Sequence, residues 1–203
     1  MMLFLLLLSL PLAQTYTTHY TTVKIPSPSL GPPSGLPHHT DLTPHILPLP
    51  TSSSVTSGIL TCGTSHTTCG LYVNEYEKGL TEDINAFFDG ILPDDRRKEP
   101  GNLGVEYRHN DIEKRPSDEE GWECERERCI KNGWNVNDVE TLEKWRNQEP
   151  INANKHIVSV CCGNSVTLPI VDGEVVLGEW QSVVLFDADG PRERNVWFMV
   201  MGV

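Results

Sequence analysis

Apolar and polar positions along this chain fall into three regimes. In the first, Leu80, Ile84, Phe87, Phe88 and Ile91 recur on a 3.6-residue period and form one apolar stripe, which predicts an amphipathic helix. Thr81 can cap its start, Glu82 and Asp83 suit its positive end, and Pro93 follows its last turn. Such a stripe needs a sheet to cover, so Phe87→Ala is expected to open a core cavity costing about 3–5 kcal/mol. In the second regime the pattern is β-like. Tyr16 to Ile25 reads as an edge strand, and Gly58–Cys62 and Leu71–Asn74 read as two short strands flanking His66. Ser165–Val171 and Glu174–Leu177 are joined by Asp172-Gly173, a pair that tolerates the positive φ of a tight hairpin turn. Ser182–Phe186 and Asn195–Met201 read as a second hairpin around Asp187-Ala188-Asp189-Gly190-Pro191. The fold class predicted is α+β: a compact single domain over 14–203, mostly antiparallel sheet with a helix packed on it.

The third regime lacks either period. Residues 26–57 crowd Pro, Ser, Gly and Thr together and read as a loop, because Pro32-Pro33 and Pro48, Pro50 remove amide donors and fix φ. Residues 94–150 mix both charge signs with few aliphatics and read as a charged excursion from the core, with an insertion over 112–150. Within it Val136, Val139, Leu142 and Trp145 recur every three residues, which suits either a short surface helix over 136–147 or a solvated charged loop. Residues 1–13 have the apolar centre and small final residue of a secretory signal without a preceding Lys or Arg; a signal peptide and a misassigned start are the two readings.

Composition narrows the partners. Sixteen Lys and Arg against 28 Asp and Glu in 203 residues give a net charge of −12, a surface that repels phosphate backbones, so nucleic acid is not an expected partner. The apolar run at 3–13 is shorter than the roughly 20 residues a membrane-crossing helix needs, so no membrane partner is expected either. The six cysteines, Cys62, Cys69, Cys124, Cys129, Cys161 and Cys162, match no zinc-ribbon spacing and read as reduced, mostly buried side chains. Cys124 and Cys129 are the pair expected to oxidise first should the leader be a true signal.

Three histidines sit in polar, loop-flanked contexts: His66, His109 and His156. Neutral imidazole serves as a metal ligand and as a base near neutral pH. Glu75, after the strand that follows His66, could orient that ring or hold a cation. Arg192 and Arg194 put two guanidiniums on one hairpin, an arrangement suited to phosphate or carboxylate, or to a structural ion pair. His19, His38, His39 and His45 fall in the low-complexity arm and are set aside.

In chain order, His66-Thr67-Thr68, Asn74-Glu75, Tyr107-Arg108-His109, Asn152-Ala153 with His156, Leu168-Pro169, Gly173, Leu177-Gly178-Glu179-Trp180-Gln181 and Gly190-Pro191-Arg192-Glu193-Arg194 resemble the YjbQ-type family, also called the secondary thiamine-phosphate synthase family. The resemblance covers roughly residues 58–110 and 150–203. It implies a cytoplasmic homotrimer acting on a small phosphorylated substrate. The reaction it implies is a weak transferase activity that joins a pyrimidine diphosphate to a thiazole phosphate with loss of pyrophosphate. Under it His66, His109 and His156 become a cluster for a divalent metal, zinc or magnesium, or for acid–base work, with Glu75 beside them. Arg192, Arg194, Gln181 and Asn74 become substrate-binding residues, and Trp180 a packing residue. Asn154 stands where relatives often carry Asp or His, Glu179 where Thr is usual, and the 112–150 stretch exceeds the usual connection. These departures make a non-catalytic trimeric ligand-binding or scaffold protein of the same fold the alternative.

Overall fold

The computed structural model describes residues 15–26, 36–95, 106–117, 119, 123–190 and 192–203; the apolar leader, Pro32-Pro33 and Pro191 lie outside them. Among these residues, eight strands form two antiparallel sheets. The larger runs β1 (Thr17–Ile25), β8 (Arg194–Gly202), β3 (Gly58–Thr64), β5 (Ser165–Val171), β6 (Glu174–Val175). In the smaller, β7 (Ser182–Gly190) lies between β2 (Leu36–Asp41) and β4 (Cys69–Asn74).

The main core forms where the sheets face each other. Leu60, Cys62, Leu168, Ile170, Val196, Phe198 and Val200 of the larger sheet meet Cys69, Leu71, Val183 and Leu185 of the smaller. Two helices, α3 (Lys78–Ile91) and α6 (Ala153–Cys162), cover the other face of the small sheet by packing Ile84, Phe88 and Val158 against Phe186 and Ala188. The central strand β7 is thus buried on both faces, which is why Val183-Val184-Leu185-Phe186 is apolar without alternation. β8 covers only one face and alternates accordingly.

Several expectations hold. β1 is an edge strand paired with β8 alone, from Thr17↔Gly202 to Ile25↔Arg194. β5 and β6 form the predicted hairpin, with Asp172 and Gly173 at φ 52° and 81° in its turn. The second hairpin does not form: β7 pairs with β2 and β4, β8 with β1 and β3, and the chain between them crosses from one sheet to the other. Asp187 to Gly190 continue β7 instead of turning, because Arg194 neutralises Asp187 inside the seam.

The stretch over 26–57 is more ordered than its composition suggests. β2 is followed by two short helices, α1 (Thr43–Ile46) and α2 (Leu49–Ser53), whose prolines sit in the first turn, where a missing N–H costs nothing. Leu42, Ile46 and Val55 from this stretch are fully buried. His38 and His39, set aside from sequence, lie in β2, and His39 is buried between Phe186 and Tyr72.

α3 begins three residues before Thr81. Its cap is Glu77, whose carboxylate accepts from the Gly79 and Leu80 amides at 2.8 Å, while the Thr81 hydroxyl donates to Lys78 O. The helix sits on the sheet along a narrower line than its stripe: Phe87 is 60% exposed and Ile91 53%, so Phe87 does not fill the core. The charged excursion contains α4 (Glu123–Lys131) and α5 (Val139–Gln148), which share a small core of Cys129, Val136 and Trp145 flanked by Trp134 and Leu142. Val139, assigned to the apolar edge, is exposed. Cys62, Cys69 and Cys129 are buried and unpaired, Cys161 and Cys162 are unpaired and more accessible, and the Cys124 side chain lies outside the described set. No helix of the described residues is long and apolar enough to cross a membrane.

The helix orientation makes a direct forecast. Phe88→Ala is expected to lower stability in urea by about 2–3 kcal/mol and Phe87→Ala by less than about 1 kcal/mol, the reverse order contradicting the placement of α3.

Candidate functional site

At the seam between the sheets, Asp187 on β7 and Arg194 on β8 form a buried bidentate pair: Arg194 Nε donates to Asp187 Oδ2 at 2.8 Å and Nη2 to Oδ1 at 2.6 Å. Arg194 also reaches Thr68 Oγ1 at 3.4 Å and Asp189 O at 3.5 Å. Cys69 donates its thiol to Asp187 at 3.6 Å; burial, with Asp187 beside it, pushes that thiol up to about 12, which keeps it protonated. Arg194 is thus engaged in a buried ion pair inside the protein. Arg192 lies before β8, partly exposed, with Nη2 3.3 Å from Asp189 Oδ2.

The β3–β4 loop, held by Arg194, carries His66 and Thr67. The His66 ring turns into the seam: Nε2 accepts from the Asn195 amide at 3.1 Å, and Nδ1 lies 3.4 Å from Arg194 Nη1. Burial and the Arg194 charge both lower its pKa, so it is a neutral acceptor. Glu75 is not beside it. It follows the far end of β4, so the whole strand, roughly 20 Å of extended chain, separates the two. Asn74 pairs with Ser182 at that same far end, and there Gln181 Oε1 caps the Gly178 amide at 2.7 Å while Trp180 is 71% exposed instead of packed. The residues expected to bind substrate thus divide between opposite ends of the small sheet.

His109 and His156 do come together. The N-terminus of α6 docks three separate segments: Asn152 Nδ2 donates to Asp189 Oδ2 at 2.9 Å, the Ala153 amide to Asn110 Oδ1 at 3.0 Å, and Asn154 Nδ2 to Leu92 O at 3.2 Å and Asp94 Oδ1 at 2.9 Å. Asn154 is thereby used as a strut. The Asn110 contact brings the 3₁₀ turn Arg108–Asn110 against the helix, and the His109 and His156 rings meet edge to face with centroids 4.7 Å apart. Burial lowers the pKa of the His156 ring, opposed in part by the neighbouring Thr67 main chain.

His109 is the most perturbed imidazole of the three. Burial, Arg115 and His156 together push its pKa down to about 4, with Asn152 pulling weakly the other way. Asn152 Oδ1 is, among the described residues, a buried side-chain acceptor without a hydrogen-bond partner, and an imidazolium at His109 would supply the missing donor. Arg115 is the hub of the insertion. Its Nε donates to Glu125 at 2.7 Å and its Nη1 to His109 O at 3.1 Å, Glu149 lies 3.5 Å away, and the guanidinium covers the Trp145 ring at 5.5 Å.

Beside the two rings lies a cavity of about 430 Å³ whose lining includes Glu106, Tyr107, Arg108, His109, His156 and Ile157. A second, of about 1120 Å³, shares Arg108 and His109 with it and extends under the insertion past Thr67, Arg115 and Trp134. Neutral imidazoles, arginines and backbone donors around a cleft can move a proton and hold an anion. They do not form a metal cage. Among the described residues no three His, Cys, Asp or Glu side chains converge on one point, and His66 Nε2 is already occupied by a main-chain amide.

The two antiparallel sheets and the helices packed on them define an α+β protein. Residues 34–203 match the family described as UPF0047 protein YjbQ-like, and the chain belongs to that family. It is 26% identical over 162 residues to a UPF0047 protein of Methanothermobacter thermautotrophicus, covering 80% of this chain and 81% of that one. Over 139 residues it is 27% identical to a UPF0047 protein of Archaeoglobus fulgidus, covering 68% and 74%. Its fold is that of a YbjQ-like protein of unknown function from Sulfolobus solfataricus, with a TM-score of 0.59 at 19% identity over 93% of this chain and 100% of that one. A hypothetical protein from Aeropyrum pernix matches with a TM-score of 0.56 at 24% identity over 92% and 99%.

Sequence reading missed Asp187, Asp189, Asn152 and Arg115. The signal for the first two was present: acidic residues ending a doubly apolar strand, a few residues before an arginine.

Two outcomes follow. Arg194→Met alone leaves Asp187 buried and unpaired and is expected to cost about 3–5 kcal/mol in urea unfolding, whereas Asp187→Leu with Arg194→Met restores most of it; equal losses contradict the pair's role. The folded pKa of His109 is depressed, so the unfolded chain takes up its proton first. Stability is complete above about pH 6.5 and is lost as pH falls towards about 4, by about 1–2 kcal/mol after discounting for partial exposure. Thermal melts between pH 7 and 5 should therefore fall less steeply in His109→Asn; identical slopes contradict it.

Proposed function

We propose that this chain is an enzyme acting on a phosphorylated small molecule, with His109 and His156 as the proton-transfer pair and the adjoining cavities as the substrate chamber. The observation that carries this reading is the meeting of two imidazoles from distant segments at 4.7 Å beside a cleft. The family resemblance suggests the reaction, a weak thiamine-phosphate synthase-type transfer. In it the thiazole nitrogen donates its lone pair to the pyrimidine methylene carbon as that carbon's bond to the pyrophosphate oxygen breaks. Pyrophosphate leaves with the electron pair and is stabilised by a proton from an imidazolium. A bound polyanion raises the pKa of both rings, opposing burial and Arg115, so the substrate itself brings them into the protonated form that this step uses.

The same reading takes the protein as a homotrimer. Phe87 and Ile91 on α3 and Val160 on α6 are large exposed apolar groups of the kind another copy would cover. A trimeric ligand-binding or scaffold protein without a reaction is the second reading, favoured by that apolar surface and by the commitment of Arg194 to an ion pair. The unpaired cysteines support a reducing compartment.

Pyrophosphate release from a pyrimidine diphosphate and a thiazole phosphate separates the two. His156→Ala should lower turnover about 10²–10⁴-fold while the melting temperature stays within about 2 °C, since the ring is only half-buried. Wild-type turnover in that variant, or its unfolding, contradicts the assignment. A wild-type protein that binds these compounds without turning them over supports the scaffold reading.

A further inference from the structure

The 1120 Å³ cavity is lined by four cations, Arg108, Lys114, Arg115 and Arg128, and by four carboxylates, Asp111, Glu119, Glu125 and Glu149. Two of them are neutralised: Lys114 lies 3.2 Å from Asp111, and Arg115 is held by Glu125 and Glu149 at 2.7 and 3.5 Å. Arg108 and Arg128 are different. Among the described residues neither guanidinium has a carboxylate partner or a hydrogen-bond acceptor. Glu119, which lines the same cavity, has no side-chain partner among the described residues.

The two free guanidiniums come from different elements. Arg108 opens the 3₁₀ turn that carries His109 and lines both cavities. Arg128 lies in the last turn of α4, and the small core of Cys129, Val136 and Trp145 fixes that helix over the cavity. Beside a cleft, a guanidinium without a carboxylate partner among the described residues keeps its fork of donors available, and that fork matches a phosphoryl oxygen pair.

We propose that Arg128, with Arg108, forms the phosphate- or pyrophosphate-binding end of the chamber, so that the insertion is part of the substrate site and not a decoration. The anion sits under α4 and the reacting end of the molecule lies against His109 and His156. This inference rests on reading the His109–His156 cleft as the working site, and anion binding without turnover tests it separately.

The test is calorimetric titration of the full chain with inorganic pyrophosphate, followed in parallel by fluorescence of Trp134 and Trp145, which line the same cavity. Wild type should bind saturably and more weakly at higher salt. Arg128→Gln and Arg108→Gln should each raise Kd by about tenfold or more, the size expected for losing hydrogen bonds to a charged group. Arg128→Lys should keep part of the affinity. Both arginines are exposed, so the melting temperature without ligand should not move. Arg192→Gln should bind within about twofold of wild type. The proposal is overturned if wild type does not bind pyrophosphate saturably, if Arg128→Gln binds as wild type does, or if Arg192→Gln abolishes binding. Should Arg128→Gln weaken binding while His156→Ala leaves turnover intact, the anion site stands and the acid–base reading falls.

Discussion

The bidentate contact between Asp187 and Arg194 is the constraint from which the geometry of the site follows. One residue lies in the last part of the central strand of the small sheet, the other begins a strand of the large one, and both are buried. Neither charge is tolerable alone in that setting, so the crossing between sheets is fixed where the two can meet. The arginine's remaining donors then pin the β3–β4 loop through Thr68. That loop brings the Thr67 main chain near His156, which sits on a helix of the third layer. A contact made for the seam between two sheets thereby sets where an imidazole stands on the far side of one of them.

The N-terminus of α6 converts that fixed point into a cleft. Its three consecutive residues Asn152, Ala153 and Asn154 reach the end of β7, the turn carrying His109 and the chain after α3. Each bond satisfies a polar group that would otherwise be buried without a partner, and together they bring distant segments to one corner. Arg115 closes the arrangement by holding the insertion to the His109 carbonyl. Its charge, added to burial and to the neighbouring ring, is what keeps His109 neutral at ordinary pH.

Local patterning made a good part of the fold legible. The edge strand at 17–25, the Asp172-Gly173 turn and α3 are set by alternation, positive-φ tolerance and a helical stripe, all short-range properties. What failed was long-range. Asp187 and Asp189 have the composition of a turn; in the strand Arg194 pairs with the first carboxylate and Asn152 and Arg192 with the second, and no local rule contains those partners. The Pro-rich stretch hid two short helices because proline is harmless in a first helical turn. Phe87 lies on the helix stripe but not on the side that the sheet covers, and hydrophobic spacing alone could not tell it from Phe88. Of the candidate site, His109 and His156 were found by residue type and polar context. Glu75, Asn74 and Gln181 were grouped with them although β4 carries them to its opposite end.

The central claim is that His109 and His156 form one electrostatic unit open to an anion. Following the imidazole resonances of the full chain by NMR across pH, with and without pyrophosphate, addresses it most directly. The account predicts that His109 titrates near pH 4, that this value rises when His156 is replaced by Asn, and that pyrophosphate shifts both rings upward. A His109 that titrates near its ordinary value of 6.5 and is indifferent to both changes would contradict it.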